Sequence, residues 1–161
     1  MITIETQIEI HRPAEEVFAF VADQTNAPTW QHGLEEVRRV TEGPLGIGTQ
    51  HVFVRRFAGR RLESRNRFTA FTPGRFVEFE IPDGWITGKA SYRVDPVHGA
   101  TSRLTSRMEF TISGPMSVAA PLLARLLARA THTDEAALKE LLESVDDASP
   151  LIVDADRISP T

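Results

Sequence analysis

The sequence predicts an α+β fold. A curved antiparallel sheet of about seven strands wraps round one long C-terminal helix, and two short helices follow the first strand. Two observations carry this. Residues 115–144 place Leu122, Leu123, Leu126, Leu127, Ala130, Ala137, Leu138, Leu141 and Leu142 at three- and four-residue steps, the spacing of one helical face. Between Gly33 and Gly114, short alternating runs are separated by brief connectors rich in Gly, Pro and Asp, the pattern of consecutive hairpins. A sheet with one apolar face and a helix with one apolar stripe can cover each other.

Each element has its own local reason. Residues 2–10 alternate, with Ile2, Ile4, Thr6, Ile8 and Ile10 on one face and Glu5 and Glu9 on the other, as in a half-buried strand. Pro13 suits a helix start. Glu15 and Glu16 then fall in the first turn, where the helix dipole favours acids, and Val17, Phe18, Phe20 and Val21 supply the buried face. A second short helix is expected over Thr25–Gly33, with Trp30 as its buried residue. Leu34–Thr41 reads as a strand, and Glu42–Gly48 as a loop of breakers. Strands are expected at about 49–57, 61–72, 75–82, 85–95 and 101–113. The C-terminal helix is expected from Pro115 to about Ser144, roughly 37 Å at 1.5 Å per residue if some 25 residues are helical. Residues 1–144 thus form a single domain, and the polar residues 145–161 read as a tail.

Composition excludes several classes. The 161 residues give one domain with enough chain for a core, and 41% hydrophobic with 25% charged residues is ordinary for a soluble protein. No apolar run approaches the roughly 18 residues of a membrane span, and the alternating N-terminus is no signal peptide. A cytoplasmic location is the default expectation. There are no cysteines, hence no disulfide, thiol nucleophile or thiolate metal site. The net charge of −4 gives no general reason to expect nucleic acid. Arg55, Arg56, Arg60, Arg61, Arg65 and Arg67 crowd one hairpin, and the C-terminal end is acidic. The plain reading is two solvated faces attracting each other; the sharper one is an anion-binding patch.

Strand parity nominates the residues that face inward. These are Leu62, Ser64, Asn66, Phe68 and Ala70; Val77, Phe79 and Ile81; Gly88, Ala90, Tyr92 and Val94; and Leu104, Ser106, Met108, Phe110 and Ile112. The strand at 49–57 stays open: His51, Phe53 and Arg55 alternate with Val52, Val54 and Arg56, and both sets are mixed. The inward polar set is therefore Ser64, Asn66, Tyr92 and Ser106, joined by His51 and Arg55 if that strand turns the right way. Gly88 and Ala90 beside Tyr92 suggest room on that face. Polar groups there must bond each other, the backbone, water or a ligand.

Known catalytic spacings are absent. Gly43, Gly46 and Gly48 precede a strand and not a helix, so they form no phosphate loop. There is no G-x-S-x-G nucleophile elbow, and no histidine pair at metal-ligand spacing. No metal and no cofactor are expected. The strand glutamates Glu63, Glu78, Glu80 and Glu109 fall on outward faces, leaving no inward acid.

The order strand, two helices, six strands, long helix resembles the SRPBCC superfamily of START-like, helix-grip proteins, in particular its bacterial polyketide cyclase/dehydrase-like branch. The resemblance rests on the opening strand with Pro13–Asp23, on Asn26-Ala27-Pro28 followed by Trp30, on Gly43–Thr49, on Arg103-Leu104-Thr105 and on the Leu-rich helix from Leu122. It covers roughly residues 1–144. It implies a cavity between sheet and helix that holds a hydrophobic or aromatic small molecule, with Trp30 near its mouth. Trp30, His51, Ser64, Asn66, Tyr92, Ser106 and Met108 are then the ligand-binding candidates.

Three functions are compatible with this. The first is a carrier, sequestering or sensing protein. The second is a polyketide cyclase, aromatase or dehydratase, with His51 or Tyr92 as base and Asn66 or Arg55 polarising a carbonyl. The third is a protein-interaction module whose core is filled by Phe53, Phe68, Phe79 and Met108. A homodimer is compatible with the sequence, but no feature of it argues for one.

Overall fold

The computed structural model describes residues 1–57 and 59–144, with Phe57 as backbone alone. The predicted tail, 145–161, lies outside the described residues. The chain runs β1 (Ile2–Ile10), α1 (Ala14–Ala22), a 3₁₀ segment (Gln24–Thr29), β2 (Leu34–Arg39), β3 (Gln50–Phe57), β4 (Arg60–Thr72), β5 (Phe76–Ile81), β6 (Ile86–His98), β7 (Thr101–Ile112), a second 3₁₀ segment (Gly114–Ala119) and α2 (Ala120–Glu143). The seven strands form one antiparallel sheet in the order β1-β7-β6-β5-β4-β3-β2. This is the helix-grip architecture. No helix among the described residues is long and apolar enough to cross a membrane.

The predicted boundaries shift by three residues or more in three places. The second helix is a 3₁₀ segment ending at Thr29. It opens on Asp23, whose carboxylate accepts the Thr25 N–H at 3.2 Å, and Trp30 follows it, buried. β6 continues through Pro96 to His98, because the proline falls where the pairing with β7 slips and the ladder needs no donor from it. The long helix begins at Ala120 and not at Pro115, with the 3₁₀ turn in front of it.

The core divides along α2. Leu138 and Leu142 are fully buried with Ile10, Val17, Phe18, Phe68, Val77 and Leu104. Farther toward its N-terminus, Leu123 and Leu127 pack on Ile4, Phe110 and Ile112. Leu122 and Leu126 do not belong to the buried stripe; they are 60% and 51% exposed. Each precedes Leu123 or Leu127 by one residue, a rotation of about 100° round the helix.

The convex face of the sheet is a lattice of exposed ion pairs. Arg107 meets Glu5 and Glu109, Arg103 meets Glu9, Arg67 meets Glu80, Arg56 meets Glu35, and Arg61 meets Glu36 and Glu63. Three of the hairpin arginines are thus balanced by glutamates of their own sheet. The register also settles β3. His51 pairs with Asn66 and Phe53 with Ser64, which puts His51, Phe53 and Arg55 on the concave face. Val52 and Val54 lie on the convex face, yet are buried. Their cross-strand neighbours are Arg38, Arg65, Glu36 and Glu63, whose long stems can cover apolar surface while their charges stay in water. Ala70, expected to face inward, is turned outward: a bulge after Phe68 pairs it with Glu78 and puts Phe71 opposite Val77 instead.

Gly88 serves the sheet and not an open space. At φ +156°, a Cβ built on it would lie 2.0 Å from the Glu109 carbonyl oxygen and 2.6 Å from Phe110 Cα. The backbone of β7 already occupies the room that the missing side chain suggested.

Candidate functional site

The concave face carries two polar groups set among aromatic and aliphatic side chains. The first is a row across three adjacent strands: Thr6 on β1 pairs with Ser106 on β7, which pairs with Tyr92 on β6. Glu135 reaches this row from α2. It precedes Leu138 by three residues and Leu142 by seven, so it shares their buried face, and it is 2% exposed. The Thr6 hydroxyl donates to Glu135 Oε1 at 2.5 Å. Glu135 Oε2 and Ser106 Oγ are buried and have no hydrogen-bond partner among the described residues. This overturns the expectation that no acid faces inward: the strand glutamates do point out, and the inward acid comes from the helix.

Tyr92 closes the row. Its hydroxyl accepts from Gln31 Nε2 at a long 3.5 Å, while Gln31 Oε1 accepts from Arg55 Nη2 at 3.2 Å. Burial pushes the Tyr92 phenol well above its usual range, and the negative charge of Glu135 adds to that. Nearby, Asp134 accepts both the His32 backbone N–H and its Nδ1, at 3.0 and 2.8 Å. That contact ties the loop after Trp30 to α2.

The second group lies on β3 and β4. His51 is fully buried, with its ring 5.4 Å from Phe68 and 6.4 Å from Phe53. Asn66 Nδ2 donates to Gln24 Oε1 at 2.6 Å, and all three of these polar side chains are buried. Both His51 ring nitrogens, Asn66 Oδ1 and Trp30 Nε1 lack a hydrogen-bond partner among the described residues. Burial lowers the His51 pKa by disfavouring the imidazolium. Trp30 stands edge-on to Tyr92 at 6.3 Å, and the rings of Phe79 and Phe68 link the two groups, Phe79 lying 5.9 Å from Tyr92 and 6.3 Å from Phe68.

The structure therefore brings together Trp30, His51, Asn66, Tyr92 and Ser106. Met108 is half-buried, opposite Ala90 and Ile4 in the next row. Ser64 shares the concave face but is exposed, because β4 there runs out beyond the core. It is placed at the rim and not in the interior. Phe68 packs on Phe71 and Phe79 at 6.2 and 6.3 Å, while Phe53 belongs to a separate cluster with Ala27, Leu34 and Val37. Sequence reasoning missed Glu135, Thr6, Gln24 and Gln31. For Glu135 the signal was present in its phase with Leu138 and Leu142. Thr6 stood in the inward set of β1 but was read as strand only. Gln24 and Gln31 lie in irregular backbone, where parity says nothing.

Comparison with known proteins bears on this geometry. A family model described as "Polyketide cyclase / dehydrase and lipid transport" matches residues 1–143. No curated protein sequence matches. Among solved structures, a START superfamily protein from Mycobacterium smegmatis superposes with a TM-score of 0.75 at 11% identity, over 89% of this chain and 98% of that one. The Zhui aromatase/cyclase of a Streptomyces species gives 0.66 at 13%, over 86% and 94%. The di-domain ARO/CYC protein BexL gives 0.69 at 20%, over 87% of this chain and 46% of that one.

Proposed function

Since the chain belongs to the polyketide cyclase/dehydrase and lipid transport family, we propose that it binds a hydrophobic or aromatic small molecule on the concave face, between the sheet and α2. One observation carries this reading. Trp30 Nε1, both His51 ring nitrogens, Asn66 Oδ1, Ser106 Oγ and Glu135 Oε2 are buried and without hydrogen-bond partners among the described residues; His51, Asn66 and Ser106 line the concave face of the sheet, and Glu135 reaches it from α2. A packed core leaves few such groups, because each costs about 1–3 kcal/mol when unbonded. A binding site has a use for them. Trp30, His51, Asn66, Tyr92, Ser106 and Met108 are the contacts, with Ser64 at the rim.

The test uses the chain's own fluorescence. It has two tryptophans, and Trp85 is 70% exposed. Trp85→Phe leaves Trp30 as the sole reporter. Titration with naphthyl and longer polycyclic compounds should shift its emission saturably. Native mass spectrometry of protein from its own host should show a retained mass that is lost on denaturation. If neither the shift nor the mass is seen, the binding reading fails.

A second reading, cyclisation or dehydration of a polyketide-type ligand in the same place, is favoured by one further observation. Burial holds both His51 and Tyr92 in their neutral forms, so one offers a ring nitrogen that can accept and the other a hydroxyl that can donate. His51, kept neutral, would take a proton from the carbon between two carbonyls. Tyr92, kept protonated, would donate to the enolate oxygen. Incubation with a poly-ketone and mass analysis for loss of water distinguishes turnover from simple carriage.

A further inference from the structure

From the Thr6–Ser106–Glu135 row we infer that the bound molecule carries a hydroxyl group, and that Glu135 Oε2 and Ser106 Oγ hold it. This rests on the binding reading above and adds the ligand's chemical class. Glu135 is 2% exposed and Ser106 5% exposed; Ser106 lies on the concave face, and Glu135 reaches that face from α2 through Thr6. One carboxyl oxygen of Glu135 is satisfied by the Thr6 hydroxyl at 2.5 Å. The other, and the Ser106 hydroxyl on the strand paired with Thr6, have no hydrogen-bond partner among the described residues. Thr6 thus fixes the carboxyl group over the row, with Oε2 left to accept.

The complement of these two atoms is specific. The carboxyl oxygen accepts a hydrogen bond. The serine hydroxyl both donates and accepts. A ligand hydroxyl answers both, donating its hydrogen to Glu135 and accepting from Ser106. An ether or a ketone only accepts, so it would leave the carboxyl oxygen unbonded. A site built to bond a hydroxyl rejects the analogue that lacks the donor far more strongly than an apolar pocket rejects a missing methylene.

The probes are 2-naphthol and 2-methoxynaphthalene, which differ only in the donor. Both are titrated into full-length wild-type protein, Glu135→Gln and Ser106→Ala, followed by calorimetry, with melting curves to check each fold. In wild type, 2-naphthol should bind about tenfold tighter, the value of one well-made hydrogen bond. Ser106→Ala should erode that preference, and Glu135→Gln, which puts an amide in place of the carboxyl group, should reduce it to within about threefold. Equal wild-type affinities for the two probes overturn the hydroxyl inference and leave the binding reading standing. A preference that survives intact in both folded variants overturns the assignment to Glu135 and Ser106. Failure of wild type to bind either probe overturns both readings. Should one variant not fold, the wild-type comparison and the other variant still decide.

Discussion

Gly88→Ala is the most direct test of how the sheet is built. The new Cβ would sit 2.0 Å from the Glu109 carbonyl oxygen and 2.6 Å from Phe110 Cα. Both are backbone atoms of the neighbouring strand, so no side chain can swing aside. Restoring ordinary contact requires β7 to move by more than about 1 Å, which disturbs ladder hydrogen bonds worth about 1 kcal/mol each. Overpacking adds about 1–3 kcal/mol, and a non-glycine residue at φ +156° adds about 1–3 kcal/mol of backbone strain. The sum is about 3–7 kcal/mol. For a domain of this size that is a fall in Tm of roughly 10 °C or more. The control is Gly84→Ala, at φ +110° but with nothing within 4 Å of its Cβ. It carries only the conformational cost, about 1–2 kcal/mol. Thermal melts by far-UV circular dichroism compare the two. If Gly88→Ala melts within about 3 °C of wild type, or loses no more than Gly84→Ala, the close approach of β6 and β7 is not what requires glycine there.

Three further outcomes follow from the same structure. The His51 pKa is lower in the fold than in the unfolded chain, where it is about 6.5, so protonation favours unfolding. Stability should be complete above pH 7 and decline as pH falls below 6.5 toward the folded pKa, by up to about 1.4 kcal/mol per unit. Urea denaturation of wild type and His51→Leu at pH 7.5 and 5.5 should show a smaller decline in the variant. Thr6→Val removes the donor to Glu135 Oε1 and should cost about 1–3 kcal/mol in the same assay, whereas Thr6→Ser should restore most of it. Arg61→Glu with Arg65→Glu alters exposed convex-face residues and should change stability by under about 1 kcal/mol. It should leave naphthol affinity unaltered in calorimetry; a large loss would mean that these arginines clamp or steer an anionic ligand.

Most of the architecture could be read from pattern. Alternation in 75–82, 85–95 and 101–113 assigns Val77, Phe79, Ala90, Leu104 and Phe110 to the buried face, and they are buried. β3 was illegible because a strand whose convex valines lie beneath arginine and glutamate stems is apolar on both sides. The register that resolves it, His51 against Asn66, is a property of two strands together. The helical stripe was read too broadly. Leucine spacing shows which residues could share a face but not where the sheet stops, and Leu122 and Leu126 lie beyond it. The candidate site was legible where strands supply it, at Asn66, Tyr92 and Ser106. It was not legible where α2 supplies it. Glu135 lies in an acidic stretch that reads as solvated, although its phase with Leu138 and Leu142 places it inside. Gly88 shows the reverse error: a small residue on an inward face can mean that a neighbour's backbone comes close.

The sheet order has a consequence for synthesis. Six neighbouring strands are joined in sequence by consecutive pairings from β2 to β7, but β1 pairs only with β7. Ile2 meets Phe110, 108 residues later. At about 5–20 residues per second on the ribosome, β1 emerges many seconds before its partner exists. During that interval its isoleucine face and its backbone edge have nothing to pair with, the condition in which a strand is most open to capture by another nascent chain. The glutamates that alternate with those isoleucines, Glu5 and Glu9, later pair with Arg107 and Arg103. Until then they place like charges on every copy of the waiting strand and disfavour its pairing with itself.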